Sequence, residues 1–434
     1  MSRLDVNSLR HTAGSADNIT LDNSQNATVE GNLTVDGTTT LTGAVELPDD
    51  TVDIADLSAS GTASSSTYLR GDNSWASVST QQALSFRNVV INGAMEVSQR
   101  NTSFSGLTSG ATYTLDRFAV AISNAGTWTV TQDSDAPDTF ANSLKLDCTT
   151  ADTSLGGGDY IHIWHKIEKR DANRFGNGKA GAKKFGLSFW VKSNKTGTYT
   201  MEIYNAHANR GTSKAYTIDS ADTWEKKTLL YNADTAGGVW GVDNGEGLRI
   251  YMYFATGLST SGGTFRDGAW DANVQANRRH PSQFNLADST SNYLNITGIQ
   301  LEALDAGDVC TAFEHRQFGE ELLRCQRYYE KSYPYSVVPG SAGDNGRRGR
   351  RVCASATNQT VFTNEQYQVR KRATPTLTTY SNNGSSGQVM LMNYGSTTVH
   401  ANSSVYGNCD YGFEVSGSGT ANAIAVFWQA DAEL

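Results

Sequence analysis

The chain has 434 residues, more than one ordinary core can use, so about two to four domains are expected. Its formal charge of −9 argues against a nucleic-acid partner. Charged residues make up only 18%, and 42 glycines stand against six prolines, a polar but aromatic-rich balance that favours many short strands over disorder.

In chain order, the first 80 residues form a segment of their own. From Ile19 to Leu47 the apolar residues fall on alternate positions, among them Ile19, Leu21, Val29, Leu33, Val35, Leu41, Val45 and Leu47, broken by Gly31, Gly37 and Gly43. One thin copy of such a one-faced β-segment cannot bury its apolar side, and identical chains are the simplest neighbours. An intertwined β-stalk of three chains is the expectation, although the pattern alone does not set the number. Residues 61–79, GTASSSTYLRGDNSWASVS, read as an exposed linker.

From about Phe86 to Ala303 strand signals are dense. Phe185, Leu187, Phe189 and Val191 share one face of a strand, as do Tyr199, Met201 and Ile203, and Leu248, Ile250, Met252 and Phe254. In YLNITGIQLEA the parity switches between Ile296 and Ile299 across Gly298, which predicts a β-bulge. Alternating strands with no helical pattern between them predict a β-sandwich of the jelly-roll type over 81–315.

FGEELLRCQRYYEKS predicts a connecting helix within 316–333, with Phe318, Leu322, Cys325 and Tyr329 as its apolar stripe. Glu320 and Glu321 suit its N-terminal end, Lys331 its C-terminal end, and Pro334 stops it. Residues 334–434 return to strands, with Ile424, Val426 and Trp428 on one face, and are expected to form a smaller C-terminal β-sandwich. The fold class is thus all-β with one short helix.

Several phrases resemble bacteriophage tail fibres. LRGDNSW, Leu69 to Trp75, is similar to an element that precedes the distal head in such fibres. NVVINGAMEVSQR, YTLDRFAV, SFWVKSNKTGTYTMEIYN, DTWEKKT, ITGIQLEA, FEHRQFGEELLRCQRYYEKS, VRKRATPTLTTY and ADAEL follow in the order seen in those heads, so the resemblance covers most of 69–434. It implies a homotrimeric virion protein, a receptor-binding jelly-roll head similar in fold to carbohydrate-binding modules, and an N-terminus held by a phage tail or adaptor protein. It also implies a host cell-surface glycan, such as lipopolysaccharide, as partner. Modules of that type often hold a structural calcium, but no ligand set for one can be placed in this sequence.

For chemistry the yield is small. No GxSxG, HExxH or P-loop is present. The 44 acids stand mostly in turn contexts such as DSDAPD and VDNGEG, so catalysis is not expected. His162 and His165 would point to opposite faces of a strand and could not share an ion. Five cysteines lack any CxxC pairing, so free thiols are expected. The N-terminal MSRLDVNSLRHTAG has no signal-peptide core and no stretch is apolar enough to span a membrane, which makes the host cytoplasm the expected place of synthesis. Trp240 and Trp270 lie in Gly-rich polar stretches where a flat ring could meet a sugar face. Arg347, Arg348, Arg350 and Arg351 form a basic run suited to phosphate or carboxylate groups, with Arg370, Lys371 and Arg372 nearby in sequence. Host attachment is the function expected. The alternatives are an architectural tail part without receptor contact and, least favoured, a glycan depolymerase.

Overall fold

A computed structural model of the protein describes residues 60–64, 67–77, 86–237, 241–305, 309–343, 348–393 and 398–434, with three short strands before them. Within 348–359 and those three strands only the backbone path is described. Trp240 and Arg347 therefore lie outside the described residues, as do most of the positions expected to build the stalk.

The chain divides into Met1–Thr80 and Gln81–Leu434. In the first unit β1 (Ser8–Leu9), β2 (Ile19–Leu21) and β3 (Ala27–Val29) form an antiparallel sheet. A hairpin joins β4 (Thr67–Leu69) to β5 (Trp75–Ser77). Its turn is closed by the Arg70 amide on the Ser74 carbonyl at 2.8 Å and by the Ser74 hydroxyl on Asp72 at 2.6 Å. The Arg70-Gly71-Asp72 triplet is therefore the tip of a hairpin.

The second unit opens with β6 (Ser103–Leu107), β7 (Gly110–Tyr113), β8 (Phe118–Ser123), β9 (Thr127–Asp133) and β10 (Ser143–Thr150). Then come β11 (Tyr160–Glu168), the single-turn α1 (Lys169–Ala172), β12 (Lys184–Ser193), β13 (Gly197–Asn205) and β14 (Arg210–Ile218). β15 (Glu225–Tyr231), β16 (Glu246–Thr256), β17 (Asp271–Ala272) and β18 (Tyr293–Leu304) complete two facing sheets. One has the order β15-β12-β18-β10-β9-β6, the other β17-β14-β13-β16-β11-β8-β7. The apolar faces read from the sequence in β12, β13 and β16 all point into one core between the sheets. Period-2 alternation places every second side chain there, so burial follows from the pattern. The expected bulge is present: Ser188 pairs with Gln300 but Trp190 with Thr297, and Gly298 takes φ +62 in the extra position.

The helix α2 is shorter than the sequence suggests, running Phe318–Gln326. Tyr329 does not continue its stripe, because Tyr329–Lys331 becomes strand β19 and pairs with Gln429–Asp431. Glu321 is buried rather than displayed at the helix end; it takes the Arg316 guanidinium at 3.3 Å and the Asn92 amide.

Beyond it, β20 (Arg348–Gln366), β21 (Thr376–Tyr380), β22 (Gln388–Met392), β23 (Val399–Tyr406) and β24 (Gly412–Asp431) join β19 in one six-stranded sheet. All are antiparallel, and the twenty-residue β24 pairs with each of the others. A buried ionic seam ties this sheet to the sandwich. Glu433 meets Arg117 and, at 3.4 Å, Arg100; Arg100 also reaches Asp116 at 3.3 Å; Arg327 meets Glu168 at 2.8 Å. Lys371 pairs with Glu330 out of contact with water.

Candidate functional site

Three neighbouring strands of the seven-stranded sheet carry large polar and aromatic side chains on the face turned away from the core. The register places His162 and Thr200 opposite Tyr253, and Trp164 and Glu202 opposite Tyr251. Alternation explains it: Ile161, Ile163 and Ile167 of β11 and Ile250, Met252 and Phe254 of β16 fill the core, so the residues between them face outward. Ala119 and Ala121 lie opposite Trp164 and His162, while Ser213 and Gly211 lie opposite Glu202 and Tyr204. Small residues on both flanks leave a trough floored by rings. The rings are ordered: Tyr160 stacks on His162 at 4.7 Å, and Tyr251 on Tyr253 at 5.6 Å and 8°. His162 meets both tyrosines edge-on at 5.2 and 5.3 Å.

The segment 257–285 folds back over one side of this trough. The Phe284 amide donates to the Thr198 carbonyl at 2.9 Å, the His280 amide to Thr200 Oγ1 at 3.2 Å, and Gln283 Nε2 to the Tyr253 carbonyl at 3.1 Å. Arginines from the segment and the sheet close on the rings: Arg278 lies 4.8 Å from the Tyr251 centroid, Arg279 4.3 Å from Tyr253, and Arg249 5.2 Å from Trp164. Glu202, fully buried, is the anchor. It accepts from Arg266 Nη1 at 2.8 Å, from Arg278 Nε at 2.8 Å and from the Tyr253 hydroxyl. Glu246 holds Arg249 through two bonds of 2.7 Å. What remains open is a cleft of about 280 Å³ lined by these rings and arginines with Thr260 and Gln275.

Several polar side-chain atoms at this cleft have no hydrogen-bond partner. Nε and Nη1 of Arg279, both ring nitrogens of His162, and Nε1 of Trp164 are buried without a hydrogen bond. Burial first, then Arg279, Arg278 and Arg249, hold the His162 imidazole well below its ordinary pKa, so it is neutral at pH 7. Burial, with Glu202 adding to it, raises the Tyr253 phenol well above its usual range.

Of the residues singled out in the sequence, Trp270 is partly buried against the core. Its ring lies 5.3 Å from Phe185, and its indole N–H donates to the Asn232 carbonyl at 2.7 Å. It is not among the residues lining the cleft. Arg348, Arg350 and Arg351 stand on β20 in the C-terminal sheet. Arg370 pairs with Asp410 at 2.6 Å, and Arg372 donates to the carbonyls of Ala432 and Glu433, both at 2.6 Å. In the VDNGEG loop, Asp243 accepts from Lys169 at 3.0 Å and from the Gly245 amide at 2.7 Å. His162 and His165 do fall on opposite faces, His165 packing on Phe118 at 5.0 Å inside the sandwich. Sequence reasoning missed His162, Trp164, Tyr251, Tyr253, Arg278 and Arg279 as one group. A signal was present: in β11 and β16 both parities carry bulky side chains, which is the mark of a strand covered on both faces.

No family model and no curated protein matches the chain. Among solved structures, it is similar to the enzymatically active domain of bacteriophage CBA120 tailspike protein 4, with 13% identity and a TM-score of 0.27 over 50% of this chain and 21% of that one. It is similar to a family 11 carbohydrate-binding module from Clostridium thermocellum in complex with a β-1,3-1,4-mixed-linked tetrasaccharide: 12% identity, TM-score 0.22, covering 53% and 100%. A C-terminal family 22 carbohydrate-binding module of Clostridium thermocellum Xyn10B shows 14% identity and a TM-score of 0.23, covering 46% and 98%.

Proposed function

We propose that the protein is a bacteriophage tail-fibre chain that attaches the virion to its bacterial host, and that its sandwich binds a host-surface glycan in the cleft over the seven-stranded sheet. The observation that carries this reading is the cleft floor. Tyr160 and Trp164, both half-buried, offer ring surface of the kind that meets the CH faces of sugar rings, over a bed of buried His162, Tyr251 and Tyr253, with charged and amide donors at the rim for hydroxyl groups. About 280 Å³ suits a short saccharide or the end of a longer one. The tail-fibre half of the reading rests on the phrases that run in order from Leu69 to the final ADAEL.

In this reading the first 80 residues anchor the chain to a tail or adaptor protein and, through the one-faced repeat, to two further copies of itself. Trp240, Trp270 and the run Arg347, Arg348, Arg350 and Arg351 are then secondary contacts. The cleft takes precedence over Trp270, whose indole is already committed to Phe185 and Asn232. Three weak sites on one particle would act together through avidity. No bond-breaking step is assigned.

The test compares adsorption of purified parent protein to host cells with that of a Tyr160→Ala/Trp164→Ala variant shown to be folded. Loss of two stacking faces should weaken each site by about tenfold or more, since such contacts are worth about 1 kcal/mol each beyond the area they bury. Undiminished adsorption by this variant, with loss on changing the four arginines to serine, moves the site to the C-terminal sheet. Undiminished adsorption by both variants would leave an architectural part.

A further inference from the structure

The cleft also carries information on the class of saccharide it takes. Arg279 is 3% exposed, and among the described residues it forms no ion pair. The other arginines at the same place are matched: Arg249 by Glu246, Arg266 and Arg278 by Glu202. A buried cation without a counter-charge is costly, by several kcal/mol in an apolar setting. The rings of Tyr253 and His162 beside it cannot repay that fully. Neutral His162 supplies a second buried donor lining the same space, through whichever nitrogen holds its proton. The unmatched groups are thus mostly donors around one cation.

Resting on the reading of this cleft as a glycan site, we propose that it selects an acidic saccharide, the anionic group of one sugar residue pairing with Arg279 while His162 donates to it. The sugar ring then lies against half-buried Tyr160 and Trp164, and Glu202 serves as a positioning residue that holds Arg278. Carboxylate and phosphate share this chemistry. An arginine holds either through paired hydrogen bonds, a planar carboxylate by its two oxygens and a phosphate ester by two of its three.

Calorimetric titration of the full chain at low salt tests it with three probes: a galacturonate oligomer, the neutral galactose oligomer of the same length, and galactose 6-phosphate. The expected result is binding of the galacturonate oligomer at least about tenfold tighter than its neutral partner. Arg279→Met should abolish that difference. Melting supplies a readout free of any ligand: removing an unmatched buried cation should leave the midpoint unchanged or higher, where loss of a structural arginine would lower it. Preference for the phosphate probe alone keeps the anion site and changes its source. Equal affinity for acid and neutral oligomers, with loss of both on Trp164→Ala, overturns the acidic class and keeps the cleft as a glycan site. Failure of every probe to bind, or a lower melting midpoint in Arg279→Met, overturns the proposal.

Discussion

His162 and His165 stand three residues apart on one strand and meet different surroundings, the first under the cleft arginines, the second in the sandwich core against Phe118. Both are held well below the ordinary histidine pKa, His162 by burial and then by Arg279, Arg278 and Arg249, His165 by burial and then by Arg117. Once unfolded, each takes up a proton near pH 6.5, and the folded chain refuses it. The unfolded state therefore binds more protons below that pH, so stability is complete above about pH 6.5 and falls as the pH drops, by about 1.4 kcal/mol per unit for each histidine. Chemical denaturation at pH 7 and pH 5 should show this loss. In His162→Gln it should be smaller by about 2 kcal/mol, the share of one histidine over that interval. An equal loss in both proteins would mean that His162 takes up its proton in the folded state. The sequence placed these two residues on opposite faces correctly, because parity along a strand is local. That the outer one lies beneath arginines more than a hundred positions away was not legible, since nothing near Tyr160 signals Arg278 or Arg279.

Among the elements, the bulge in β18 joins local pattern to packing most directly. Gly298 holds φ +62, and a Cβ built there would lie 2.8 Å from the Phe140 ring and 3.0 Å from Trp190. Gly298→Val should thus cost about 1–3 kcal/mol, from the left-handed backbone and the displaced rings together. Urea melts check it; a midpoint equal to that of the parent would mean that the bulge relaxes into regular pairing. The helix shows the limit of the same kind of reading. Its stripe from Phe318 to Tyr329 is a sound helical period, yet Phe318 is 45% exposed and the chain leaves the helix at Gln326. Strand pairing with β24 takes Tyr329–Lys331, and ladder bonds to a partner a hundred residues on outweigh the local preference. The C-terminal sheet was legible as strands but not as an arrangement. Its strands are organised along β24, whose twenty residues are long enough to serve different partners at its two ends, β19 and β21 at one and β20, β22 and β23 along the rest.

At the scale of the whole molecule, the alternation from Ile19 to Leu47 has a consequence for assembly. A one-faced apolar repeat needs a partner surface, and the proposed one is two further copies of the chain. Mass photometry or light scattering at micromolar concentration should report a trimer; a stable monomer would remove both the stalk and the avidity argued from it. Within Gln81–Leu434, sandwich and C-terminal sheet belong to one compact unit because buried charges link them, Glu433 to Arg117 and Arg327 to Glu168. Removing one partner of such a pair leaves the other charge stranded, which is why the seam resists opening. By itself the sequence determined the all-β class, the inward faces of β12, β13 and β16 and the bulge at Gly298, since each depends on spacing of a few residues. Tertiary structure alone decided the cleft. Outward-facing Trp164, Tyr251 and Tyr253 become the floor of a cleft only where the 257–285 segment folds back over them, and that closure depends on hydrogen bonds between residues far apart in the chain.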